Sequence, residues 1–175
     1  MKETGKLLVK EILIVAAAVV LGVMALAATY LVPQGKMKDN AWESAIFMHR
    51  EGLGSFMWPT MKITQLDGYT DGLMLNTSYT ESDDGIRDIL LDTKVKVRDI
   101  NPMESFYEVI ALENKDYQID TYGRYWHGYQ IIWRPLLCFF HYGEIRQINM
   151  ALQLAVVFFF LYLLFRTGLK ALCVP

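Results

Sequence analysis

A chain of 175 residues has room for one ordinary domain, but 53% hydrophobic residues and a mean hydropathy of +0.21 exceed what a domain bathed only in water carries. The formal net charge of −2, without any basic run, excludes a general attraction to nucleic acid. The two cysteines, Cys138 and Cys173, lie in or after apolar segments at no metal-ligand or redox spacing. They exclude a disulfide framework and read as packed or lipid-facing thiols.

Residues 1–11 form a basic N-terminus with Lys2, Lys6 and Lys10, and from Ile12 to Val32 no residue carries a charge. A helix rising 1.5 Å per residue needs about 20 apolar residues to cross a hydrocarbon core, so 12–32 is expected to be a first transmembrane helix. Ala25-Leu26-Ala27 also offers the small-x-small pattern of a signal-peptide cleavage site. The apolar run is longer than a usual signal core, which favours an uncleaved anchor. Further on, Asp39 or Asn40 can cap a helix through Ala41, Trp42, Phe47 and Met48 that ends at Gly52, an expected interfacial helix.

Residues 53–80 are rich in Gly, Thr and Asp. DG pairs at Asp67 and Asp71 mark turns, and the alternation in Met61–Leu66 is that of a short strand. Ser82 can cap a helix over 86–91, Lys94–Arg98 alternates as a strand, and Asn101-Pro102 with Glu104 is a helix start. The spacing of Tyr122, Tyr125, Trp126, Tyr129, Ile132 and Trp133 predicts an interfacial aromatic helix. Arg124, His127 and Arg134 fall on its opposite, cationic side. Pro135 should break or kink it, and the segment to Tyr142 is too short to cross a membrane, so 122–142 is read as an interfacial helix and re-entrant segment turning at Gly143. A second transmembrane helix is expected over 148–165, followed by Arg166 and Lys170 in a tail, 166–175.

The expected fold class is thus a mainly α membrane protein: two transmembrane helices flank a helix-dominated α+β extracytoplasmic loop, 33–147, with interfacial helices. Positive charges outside both spans place both termini in the cytoplasm of a multi-pass cell-membrane protein.

No Walker loop, GxGxxG, GxSxG, HExxH or paired-cysteine motif occurs, and Asp67–Asp71 does not match a calcium loop. Three feature sets could carry chemistry. Asp39, Glu43, Asp67 and Asp71 are candidate catalytic carboxylates: one could act as general base toward an acceptor hydroxyl, or hold a divalent cation against a lipid-linked phosphate. Capping and turn formation are the structural alternatives. Arg124, His127 and Arg134 could bind a phosphate or ordinary headgroups, arginine taking phosphate oxygens two at a time. Tyr122, Tyr125, Trp126, Tyr129 and Trp133 could anchor the chain in the interface or offer faces on which a sugar stacks. Asn76-Thr77-Ser78 spells a glycosylation sequon.

The basic N-terminus, the first span, the large loop, the stretch YGRYWHGYQIIWRPLLCFFHYGEIRQIN and the second span together resemble the beginning of a bacterial GT-C-type glycosyltransferase. Such enzymes use polyprenyl-phosphate sugars. The resemblance implies catalytic acids in the first extracytoplasmic loop, at Asp39 and Glu43, with Asp67 and Asp71 as further positions. It also implies a lipid-linked sugar as partner, a role in cell-envelope glycan assembly, and further spans, so that the chain is expected to be a fragment or truncated form. The alternative is a non-enzymatic two-span envelope protein whose loop binds a partner such as another membrane subunit.

Overall fold

The structure is a computed structural model and describes residues 2–80, 85, 90–91, 93–98, 101–123 and 127–167. The protein is mainly helical, and two helices are long and apolar enough to cross a membrane. The first, α1 (Lys2–Thr29), starts within the basic N-terminus and ends sooner than Val32. The chain turns at Tyr30 and passes through a 3-10 turn, Gln34–Lys36, into α2 (Lys38–Glu51). This helix ends at Gly52 as expected. Its start is uncapped by any side chain: Met37 is the N-cap, Asp39 sits in the first turn, and the Asn40 amide instead donates to the Leu137 carbonyl at 2.9 Å.

Residues 61–66 are not a strand. Lys62–Thr64 is a 3-10 turn within a closed loop, and the only ladder contact there is a single bridge between Phe56 and Gln65. The loop leads into α3 (Gly68–Tyr79), where Asp67 is not a hairpin-turn residue but the N-cap, accepting from the Thr70 N–H at 3.0 Å. The strand expected at Lys94 forms as β1 (Lys94–Val97), and the helix start at Asn101 opens α4 (Pro102–Phe106), where the Asn101 side chain accepts from the Met103 N–H. A single π turn, Tyr107–Ala111, continues α4. The partner of β1 is β2 (Gln118–Thr121), antiparallel, with Val95 opposite Asp120.

The 122–142 region departs furthest from expectation. Gln118–Thr121 is strand, Arg124, Tyr125 and Trp126 lie outside the described residues, and helix resumes only at α5 (Gln130–Leu137). Pro135 lies inside α5 rather than ending it, because so short a helix has few hydrogen bonds for proline to remove. The last helix, α6 (Tyr142–Arg166), begins at Tyr142 rather than Ile148. His141 and Glu144 close a capping box on it, so Gly143 is helical rather than a turn. The helix expected over 86–91, Lys170 and Cys173 also fall wholly or largely outside the described residues.

The core gathers Met37, Ala41, Ala45 and Met48 of α2 with Leu75 and Tyr79 of α3, Met103 and Phe106 of α4, and Leu137, Tyr142 and Ile145. Gly72 allows α3 to cross α4, since a β-carbon there would lie 2.6 Å from the Met103 Cα. Along α1 and α6, by contrast, Leu13, Leu21, Phe158 and Phe160 are exposed. Apolar flanks without protein cover are what lipid solvates.

Candidate functional site

Where α2 meets the start of α6, side chains from four segments converge. Arg146, one turn into α6, forms a two-pronged ion pair with Glu51 at the end of α2, Nη1 to Oε1 at 2.6 Å and Nη2 to Oε2 at 2.7 Å. Its Nη2 also donates to the Tyr142 hydroxyl at 2.6 Å, and that hydroxyl donates onward to Asp71 in the first turn of α3. The guanidinium lies 4.5 Å from the Tyr142 ring centroid, and Trp133 stacks on Tyr142 at 5.8 Å. The guanidinium is thus paired with a carboxylate and packed on a ring, which is what a charge beside an apolar helix requires. Burial holds the Asp71 carboxyl above its ordinary range, opposed by the Tyr142 hydrogen bond and the Arg146 charge. Asp67, exposed and bonded to Thr70, is held below the ordinary range.

Beside this network lies a groove of about 550 Å³ lined by Trp42, Glu43, Ile46, Phe47, Arg50, Glu51 and His141. Six of these come from α2, at positions three and four apart that share one side of a helix. Gly143 lets α6 approach: a β-carbon there would meet the Phe47 ring at 3.1 Å. The groove thus presents carboxylates, a cation and an indole together.

The sequence-derived site residues do not form one constellation. Glu43 and Glu51 line the groove, Asp71 belongs to the adjoining network through Tyr142, and Asp67 is exposed at the start of α3. Asp39 is exposed twelve residues before Glu51, about 18 Å along the helix axis. Arg134 and His127 turn inward rather than outward. Arg134 is 0% exposed, and it donates through Nε to the Thr29 carbonyl at 3.2 Å and through Nη1 to the Ser78 carbonyl at 2.6 Å, with the Tyr30 ring 4.2 Å away. It joins the C-terminal ends of α1 and α3, where helix carbonyls carry partial negative charge. Gln130, one turn earlier, accepts from the Tyr30 hydroxyl at 2.6 Å and reaches the Thr77 carbonyl.

His127 is 1% exposed. Its Nε2 is 2.5 Å from the Tyr122 carbonyl, which can only accept, so that nitrogen carries the proton. Burial lowers its basicity, leaving the ring neutral, and the Tyr129 hydroxyl donates to Nδ1 at 2.9 Å. Tyr129 also meets Thr77 at 2.7 Å. Tyr122, Tyr129 and Trp133 therefore serve packing and buried hydrogen bonds. Arg124, Tyr125 and Trp126 lie outside the described residues.

Sequence reasoning missed Glu51, Arg146 and Tyr142. A cation in the first turn or two of an apolar helix needs a nearby carboxylate, and that need was the available signal. Asn76, within the sequon, is 2% exposed and grips β1, donating to the Lys96 carbonyl at 2.8 Å and accepting from its N–H at 3.0 Å. Its amide is thus committed in the fold. Among the described residues no three of His, Cys, Asp and Glu are grouped as cation ligands.

The fold and site define a helical protein with two apolar helices of membrane-spanning length and a polar network with an adjoining groove at the root of the second. No protein-family model, curated protein or solved structure matches the chain.

Proposed function

We propose that the protein is an integral membrane protein acting in glycosyl transfer from a lipid-linked sugar phosphate, in the manner of the GT-C-type enzymes it resembles. The groove between α2 and α6 carries this reading. It opens beside the first turns of an apolar helix, the height at which a lipid headgroup lies, and it combines a carboxylate for proton transfer, an arginine for phosphate and an indole for a sugar face.

In this reading Glu43 is the general base. It takes the proton from an acceptor hydroxyl as that oxygen bonds to the sugar's anomeric carbon, and the bond from that carbon to the phosphate oxygen breaks, the lipid phosphate leaving with the electron pair. Arg50 faces the phosphate, and Trp42 packs against the sugar.

The test is transfer of radiolabelled sugar from a polyprenyl phosphate donor by the full chain in liposomes. Glu43→Gln should lower the rate by about 10²- to 10⁴-fold, the usual contribution of general base catalysis. Unchanged transfer would remove Glu43 from the mechanism, and no transfer by the parent chain would remove the reading.

One observation favours a second reading, a non-enzymatic two-span protein that binds another membrane subunit: Val156, Phe158, Phe159 and Phe160 form an exposed apolar surface on α6. Stable association in detergent without sugar transfer would favour it.

A further inference from the structure

The segment between α2 and α3 exposes an unusual set of side chains. Leu53, Met57, Trp58 and Met61 are all exposed, Trp58 at 60%, and Ile63 is 90% exposed. Single exposed apolar residues are ordinary on a protein surface, but a run of them on one loop is not. From Gly52 to Leu66 there is no acidic residue, and Lys62 is the single charge.

The loop is built rather than loose. The Leu66 N–H donates to the Ser55 carbonyl at 2.8 Å and the Met57 N–H to the Thr64 carbonyl at 3.0 Å. At the tip, the Met61 N–H donates to the Trp58 carbonyl at 2.9 Å, with Pro59 at the position that favours such a turn. The Thr64 hydroxyl accepts from the Trp58 N–H and donates to the Met61 carbonyl. Several backbone polar groups of the loop, the Met57, Trp58 and Met61 N–H among them, are thereby satisfied within it, which lowers the cost of leaving water.

Its root is fixed beside α6. Glu51, immediately before the loop, pairs with Arg146, and Asp71, four residues beyond Asp67, accepts from Tyr142. Gly68 packs against Gly52 and Leu53, so the two ends meet. If α6 crosses a bilayer, the loop leaves the protein at the height of the polar–apolar boundary.

We propose that residues 53–63 insert into the lipid interface as a second, non-helical membrane contact next to α6. Trp58 and the methionines would lie among the upper acyl chains, and Lys62 would reach headgroup phosphates, the depth preference such side chains show. This rests on α6 being membrane-spanning, but not on any transfer activity.

The experiment uses the full chain in phosphatidylcholine liposomes, with Cys138 and Cys173 replaced by Ser and one cysteine at a time carrying an environment-sensitive fluorophore. Met57→Cys and Ile63→Cys report the loop, Val156→Cys reports α6, and Asp116→Cys, on a fully exposed side chain, reports water. Labels at 57 and 63 should be quenched by lipid bearing a shallow spin label, and should lose the iodide quenching seen at 116. Iodide quenching at 57 and 63 equal to that at 116, with 156 still protected, would overturn the loop insertion and leave the span intact. Iodide access at 156 would overturn the span and the loop together.

Discussion

Arg134 shows how a residue's role follows from what surrounds it rather than from its charge. Its guanidinium satisfies carbonyls at the ends of two helices in a site closed to water. Arg134→Met should lower stability by about 1–3 kcal/mol, the cost of leaving the buried Ser78 carbonyl without its donor, since the Thr29 carbonyl keeps the Val32 N–H at 3.2 Å. Lysine, lacking the planar fork, should not rescue it. Thermal unfolding in detergent measures both.

His127 and Asp71 give opposite pH dependences. The folded state depresses the basicity of His127 from its ordinary 6.5, so protonation favours unfolding, and stability should fall as pH drops below about 6.5. The Asp71 carboxyl is raised above its ordinary 3.8, so its ionised form is the disfavoured one, and its contribution should improve as pH falls through the raised value. Asp71→Asn keeps an acceptor for Tyr142 and removes that charge. It should be neutral to stabilising near neutral pH and should leave the acid loss due to His127 steeper, as read from unfolding midpoints across the acid range.

Among elements, close helix crossings depend on two glycines. Gly72→Ala would drive a methyl into the α4 backbone, and Gly143→Ala would press on Phe47 and His141. Each should cost about 1–3 kcal/mol, the range for overpacking, with Gly72 the worse because backbone yields less than a side chain. Gly35→Ala, with nothing within 4 Å, is the control and should change little. Unfolding midpoints that rank these three otherwise would contradict the crossing geometry. Elements whose signals are local were readable in sequence: α1 and α6 from apolar length, β1 from alternation, α4 from Asn101 and Pro102. The helix α3 was not, because its apolar spacing is weak and its DG pairs read as turns, although Asp67 caps it. The aromatic spacing over 122–134 does not make one helix: residues 122–123 and 127–129 are not helical, and packing decides which way α5 faces, with Ile132 outward and Arg134 inward.

For the whole molecule, the expected arrangement has α1 and α6 crossing a membrane in opposite directions with the intervening segment on one side. In intact cells a membrane-impermeant thiol reagent should then label Asp116→Cys and not Lys6→Cys, in a background lacking Cys138 and Cys173. Labelling of Lys6→Cys alone would invert the orientation.

By itself the sequence determined the helical character of this protein and its two helices long and apolar enough to cross a membrane, because apolar length and capping residues act over a few neighbouring positions. It also marked Glu43, Asp67 and Asp71 as carboxylates worth placing. Tertiary structure decided which of them meet: Asp71 joins Tyr142, Arg146 and Glu51, Glu43 faces the groove, and Asp39 stands apart. The reason is physical. Ion pairs between residues 51 and 146, or carbonyls of residues 29 and 78 shared by one guanidinium, depend on where helices cross, and crossings are set by packing at positions such as Gly72 and Gly143 rather than by any local pattern.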